Sequence, residues 1–371
     1  MKEVKVYTVL IAPLDWGLGH ATRCIPIIRA LYIKGFKVII AAEGSQRKLL
    51  ELEFPYAEFV FLKGYNMVYA KGRMATILKL LFQIPKFFNA IHKENIWVKD
   101  FVKNNKIDLI ISDNRYGFFH HDILSVIITH QLNIITNNAF TESIIRKFHY
   151  RLLKPFNYCW IPDFCFPDNL AGRLSNPVKL PSIPTRHIGW LSRFGNDRIP
   201  SESNYQYDAC IILSGPEPQR TLLEEKILSQ LKDCLYKIVL VRGLPESTVD
   251  LNTTGKSIIY NHLPGAELIK VVASSKYIIC RGGYTSLMEM IGLGKKLILI
   301  PTPAQTEQEY LADSLMEKNW AIRIEQDKFN LTKALQMAEQ FQFQYPSAGL
   351  IQEKHLLDDE IEELKTLLST R

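Results

Sequence analysis

Short, unbroken runs of β-branched and other apolar residues recur along this chain, and segments of helical periodicity separate them. In the first half the runs are VKVYTVLIAPL, FKVIIAA, AEFVFL, IDLIISD, LNIITNNAF and CWIPDF, with helical patterns after His20 and over SQRKLLELE. In the second half DACIILSG, YKIVLVRG, KSIIYNHL, KYIICRGG and KKLILIP alternate with helical patterns that begin near Arg220, Ala266, Thr285 and Thr306. A strand apolar on both faces must be covered on both faces, which parallel strands with crossover helices achieve. The chain therefore reads as two doubly wound α/β units, each Rossmann-like. The alternation breaks between Asn176 and Tyr207, where prolines 177, 181, 184 and 200 and the polar run SESN fall. We divide the chain into residues 1–192, a linker at 193–206, a second unit at 207–350 and a charged amphipathic helix within 351–371 that could cap either unit.

At 371 residues, with 47% hydrophobic and 22% charged content, the chain is long enough for two packed cores and is not disordered. Its net charge of +7 is uneven: residues 1–190 hold 25 Lys+Arg against 14 Asp+Glu, so the first half is strongly basic and the second acidic. Such a half suits an anionic membrane surface or a phosphorylated substrate. Nucleic acid is disfavoured, because the charge is not interleaved with exposed aromatic motifs and no recognition helix stands out. The six cysteines form no CxxC pair, which argues against a zinc site or a disulfide frame and for buried thiols in a reducing compartment. No run approaches the roughly 18 to 20 apolar residues of a membrane span. The start of the chain reads as a core strand, not a signal peptide. The expected location is cytoplasmic, with peripheral attachment to the inner face of the membrane left open.

Two glycine turns stand where a strand hands over to a helix. The first is DWGLGHATR, Asp15 to Arg23, with Gly17 and Gly19 around Leu18. The second lies in CRGGYTSLMEMIGLGKKLILIPTPAQTEQEYLA, Cys280 to Ala312. There Gly282 and Gly283 allow close backbone approach, and the helix opening at Thr285 and Ser286 offers free N–H groups to a phosphate. Glu289, one helical turn on, is placed to accept two ribose hydroxyls. Gln305, Gln308 and Glu309 follow the next strand, where they could read sugar hydroxyls.

The pattern R-G-G-Y-T-S-x-x-E, then a proline twelve residues after the glutamate, then Q-x-E-Q-x-x-x-A, resembles the C-terminal donor-binding domain of glycosyltransferase family 28. SGPEPQR, Ser214 to Arg220, resembles that domain's other glycine turn, and DWGLGHATR resembles the G-x-G-H turn of the family's N-terminal acceptor domain. The resemblance implies a GT-B fold, with parallel sheets facing a central cleft. It also implies metal-independent, inverting transfer from a nucleotide sugar, usually a UDP-sugar, with no other cofactor. Carried over by position, Glu289 would hold the ribose; Thr285 with Gly282 and Gly283 would hold the diphosphate. Ser214 and Gly215 would meet the diphosphate from the opposite side, and Gln308 and Glu309 would contact the donor sugar. Arg281 would be a cationic helper for the leaving group. The turn is less rich in glycine than the family's, and Glu309 stands where the lipid II enzyme has Gln, so the sugar and the acceptor are not inherited.

An inverting transferase needs a base for the acceptor hydroxyl, and His20 suits that task. Asp113, at the end of IDLIISD, would orient it; Asp15 is the rival carboxylate. Arg23 could meet an anionic group or pair with an acid. Between 74 and 91 apolar residues fall at helical spacing, with Lys79, Lys86 and Lys93 on the other side and Pro85 placed to kink or split the helix. With the basic stretch IIRKFHYRLLK at 144–154, this surface could dock on anionic lipid or simply pack on the core with a solvated lysine face. The expected partners are a nucleotide-sugar donor and a glycan or lipid-linked acceptor. The competing functions are a sugar-nucleotide epimerase or hydrolase using the same donor site, and a non-catalytic nucleotide-sugar binder.

Overall fold

A computed structural model describes residues 5–66, 82–135, 138–165, 169–195, 205–215, 217–248, 251, 255–344 and 355–370. The first half runs β1 (Thr8–Pro13), α1 (Leu18–Ile33), β2 (Lys37–Ala42), α2 (Gly44–Glu53), β3 (Glu58–Phe61), α3 (Ile84–Asn104), β4 (Leu109–Asp113), β5 (Leu124–Ile128), α4 (Ala139–Leu153), β6 (Tyr158–Ile161) and β7 (Thr185–His187). The second runs β8 (Tyr207–Ile212), α5 (Gln219–Leu231), β9 (Ile238–Val241), β10 (Ile258–Tyr260), α6 (Gly265–Ala273), β11 (Ser275–Cys280), α7 (Tyr284–Gly292), β12 (Lys296–Leu299), α8 (Thr306–Glu317), β13 (Ala321–Arg323) and α9 (Leu331–Gln340), and α10 (Leu356–Ser369) closes the chain.

Every described strand pair is parallel. The first sheet has the order β3-β2-β1-β4-β5-β6-β7 and the second β10-β9-β8-β11-β12-β13. In both, the order reverses beside the first strand, which opens a crevice at the C-terminal strand ends. The central strands are buried on both faces, as their unbroken apolar runs require. One apolar cluster passes from the first sheet through Ile25 and Ile28 of α1 to Leu287 and Ile291 of α7, so the two halves share packed side chains.

One expectation changes and two alternatives are decided. LNIITNNAF is not a strand: the strand is Leu124–Ile128, and Ala139 opens α4. The Asn138 side chain accepts from the N–H groups of Phe140 and Thr141, and such a cap favours a helix start over extended backbone. Of the kink and the split, the second fits: Gln83 is a turn after helical Phe82, and Pro85 sits in the first turn of α3, where its missing N–H is no loss; Met74 to Leu81 and most of the 193–206 linker lie outside the described residues. The terminal helix chooses the first half. Ile361, Leu364 and Leu368 are buried, Lys365 Nζ donates to the Lys34 carbonyl at 2.7 Å, and Lys34 pairs with Glu362 at 3.0 Å.

Candidate functional site

The register of β1 on β4 sets Pro13 opposite Asp113, so the carboxylate at the end of one strand lies beside the turn that leaves the other. Gly17, at φ +85°, turns the chain into α1, and three residues later His20 stands in its first turn. His20 Nδ1 lies 2.9 Å from Asp113 Oδ2, and Arg23 donates through Nε to Asp113 Oδ1 at 2.7 Å and also through Nη2. Asp113 is fully buried and Arg23 nearly so. Burial pushes the Asp113 carboxyl up, but Arg23 and His20 outweigh it and hold it below its usual value. Burial, then Arg23, depresses the His20 imidazolium against the pull of Asp113, so His20 is neutral at neutral pH. Its Nε2 makes no hydrogen bond among the described residues.

Two open alternatives are thereby resolved. Asp15 accepts from the backbone N–H groups of Tyr65 and Asn66, each at 2.8 Å, so it pins the 64–66 loop and is not the partner of His20. Arg23 pairs with an acid. Gly19 has a steric duty: a Cβ there would come within 3.4 Å of Thr285 Oγ1 in the other half, and Thr285 donates to the Gly19 carbonyl at 3.0 Å.

The second turn is engaged differently. Gly283 has open space where a side chain would stand, whereas a Cβ at Gly282 would come within 3.0 Å of the Gln308 carbonyl. Glu289 is buried, and Arg193 holds both its oxygens, with Nε 3.0 Å from Oε1 and Nη2 donating to Oε2 at 3.3 Å. Burial raises the Glu289 pKa and Arg193 opposes that. Gln308 accepts from the Thr302 N–H at 2.9 Å and donates to Gln305, while Glu309 accepts from the Ala304 N–H at 3.3 Å. Both therefore brace the PTP loop in this state.

Arg281 is a correction. Its guanidinium is 1% exposed and donates to the carbonyls of Ile300 (3.2 Å) and Gln219 (2.7 Å) and to Gln326 Oε1 (2.6 Å). Burial lowers its pKa to about 10. It ties the residues after β12 and β13 to the start of α5, so its guanidinium is buried in internal contacts and not exposed to a leaving group. Ser214 and Gly215, the latter at φ +101°, border a pocket of about 190 Å³ that Gly17, Leu18 and Ser45 close from the first half. The first glycine turn thus faces the Ser214–Gly215 turn across a cavity, while Thr285 of the second turn meets Gly19 directly.

Sequence reasoning missed several residues of this cleft. His130 follows β5 and is buried against Tyr284, ring on ring at 4.1 Å and 7°. Its Nε2 lies 2.7 Å from Glu307 Oε1, and Gln131 donates to the other oxygen of Glu307. Tyr284 donates to the Pro162 carbonyl at 2.8 Å. A polar residue directly after a buried parallel strand was the available signal for His130, and it was lost with the misplaced strand. Arg193 had no signal, since only the fold brings it to Glu289.

Comparison with known proteins fits this geometry. Residues 219–353 match the glycosyltransferase family 28 C-terminal domain. An uncharacterized glycosyltransferase of Methanosarcina acetivorans is 21% identical over 324 residues, covering 82% of each chain. Among solved structures, the glycotransferase of kitacinnamycin superposes with a TM-score of 0.61 at 16% identity, over 97% of this chain and 100% of that one. Arabidopsis thaliana UGT89C1 complexed with UDP-L-rhamnose does so with a TM-score of 0.57 at 15% identity, over 98% and 95%. With its two parallel-sheet halves and this domain over residues 219–353, the protein is a glycosyltransferase of GT-B fold whose second half carries a family 28 C-terminal domain.

Proposed function

We propose that the protein transfers a sugar, with inversion and without a metal or other cofactor, from a UDP-sugar to a hydroxyl of a glycan or lipid-linked acceptor. The observation that carries this is the His20–Asp113 pair at 2.9 Å, which leaves Nε2 unengaged at the cleft opposite the family 28 domain. In this scheme Asp113 accepts the Nδ1 proton, and the Nε2 lone pair takes the acceptor's proton as the oxygen attacks the anomeric carbon. The sugar leaves UDP in the same displacement. The start of α7, with the Gly282 and Gly283 backbone and Thr285, stabilises the diphosphate, and Ser214 and Gly215 meet it from across the pocket. Glu289 holds the ribose once Arg193 has shifted, and Gln308 with Glu309 reads the sugar. A UDP-sugar is the donor class that the resemblance of residues 219–353 to the family 28 C-terminal domain implies.

A lipid-linked acceptor is supported by one face of the basic half. Phe82, Ile84, Phe140, Ile144 and Phe148 are exposed there, at 82, 46, 75, 51 and 44%, and Phe88 packs edge-on against Phe148 at 5.4 Å. Lys147 and Arg151 share helix α4 with three of them. Exposed apolar residues beside cations on α4, with α3 packed against it through Phe88, suit an anionic bilayer surface on the cytoplasmic side. No helix among the described residues is long and apolar enough to cross a membrane.

A panel of UDP-, GDP- and dTDP-sugars screened by thermal shift, followed by mass spectrometry of turnover with and without a lipid extract, tests the proposal. The expected result is a shift with a UDP-sugar and a glycosylated product only when acceptor is present. Conversion to an epimer or free sugar in buffer alone would establish the competing epimerase or hydrolase. Sedimentation with phosphatidylglycerol vesicles should fall as salt rises, and no sedimentation at low salt would point to a soluble acceptor.

A further inference from the structure

His20 Nδ1 has two neighbours that make opposite demands. Asp113 Oδ2, at 2.9 Å, requires a proton on that nitrogen; Arg23 Nη2, at 2.8 Å, requires a lone pair. A neutral imidazole carries one proton, so the outcome decides what Nε2 presents to the cleft. If Asp113 prevails, Nε2 has a lone pair and can accept a proton from a hydroxyl. If Arg23 prevails, Nε2 carries an N–H and cannot.

A chain of contacts links Arg23 to the other half of the molecule. Its Nη1 lies 3.3 Å from His130 Nδ1. A guanidinium only donates, so His130 Nδ1 is the acceptor there and its proton sits on Nε2. That N–H is directed at Glu307 Oε1, 2.7 Å away at the start of α8. The His130 ring cannot readily turn, being 5% exposed and stacked on Tyr284 at the start of α7. The guanidinium is therefore clamped between a carboxylate on the base side and a histidine whose tautomer the second half fixes.

We propose that His130, anchored by Glu307, is a positioning residue that keeps Arg23 seated on Asp113 and so leaves the His20 proton on Nδ1. It does not touch substrate; it acts through Arg23. The proposal rests on His20 being the base, and it makes that base competent when the two halves are in contact. Separation of the halves removes Glu307, frees His130 to change tautomer, and releases Nη1.

Imidazole nitrogen resonances of protein carrying ¹⁵N-histidine report the tautomer directly, with His20→Gln supplying the assignment among nine histidines. In the wild type His20 should show a protonated Nδ1 and a bare Nε2. In His130→Ala, and in the milder Glu307→Gln, the pattern should move toward a bare Nδ1 and a protonated Nε2. Calorimetry with UDP, which lacks the sugar, should give the wild-type affinity in both and so certify folding. Retention of the wild-type pattern in both variants overturns the proposal. A protonated Nε2 already present in the wild type overturns the base assignment itself, a distinct result.

Discussion

The two glycine turns have the same local form, a parallel strand passing through glycine into a helix, yet they stand in opposite states. At the first, Asp113, Arg23 and His20 are held against one another and leave one ring nitrogen unengaged. At the second, the side chains expected to hold the donor are already engaged: Thr285 on the Gly19 carbonyl, Glu289 on Arg193, and Gln308 on the loop before it. The acceptor side is thus assembled before substrate arrives, whereas the donor side must exchange internal partners for ligand. Each partner given up subtracts from donor affinity, and each regained speeds product release.

The contrast can be broken most severely at Asp113. Replacing it with alanine strands the buried Arg23 without a counter-ion and should cost about 3–5 kcal/mol of stability by urea unfolding. A small loss would mean that Arg23 finds another partner and that the turn is less preassembled than its contacts suggest. His20→Ala should leave the fold intact and reduce turnover about 100-fold or more, with UDP affinity unchanged in calorimetry. Turnover at the wild-type level would remove His20 from the chemistry. On the donor side, Glu289→Ala should weaken UDP about tenfold, the order expected for lost hydrogen bonds to a charged group. Unaltered affinity would mean that Arg193 never yields the carboxylate to a ribose.

The smallest effect near neutrality concerns acid. Burial lowers His149 to about 4 and also depresses His20, both in the first half. A histidine kept neutral by burial binds its proton more readily when unfolded, so its contribution is complete above the ordinary value of 6.5 and is lost as pH falls toward 4. Hydrogen exchange at pH 7 and pH 5 should show the first half loosening ahead of the second, and His149→Gln should reduce the difference. Equal loosening of both halves would contradict the assignment.

Much of the architecture was legible because parallel strands announce themselves as unbroken apolar runs. The exception, LSVII, is only five residues long and carries Ser125, while the apolar run LNIITNNAF carries Asn138, which caps a helix. His20 and Asp113 were legible because strand ends are where α/β sheets put chemistry. The direction of Arg281 was not, since a charged strand-end residue in sequence looks the same whether it faces the cleft or the layer below. The pairing of Arg193 with Glu289 and of His130 with Glu307 joins distant elements, and local sequence holds no record of such pairings even where, as at His130, it marks the residue.

The return of α10 to the first half has a mechanical consequence. The chain passes between the halves near residues 193–206 and again between Gln344, whose N–H is bonded to the Asn319 carbonyl in the second half, and Leu356. The halves are thus joined by two lengths of chain instead of one, and any parting of the cleft carries Thr285 away from Gly19 and Glu307 away from His130 together.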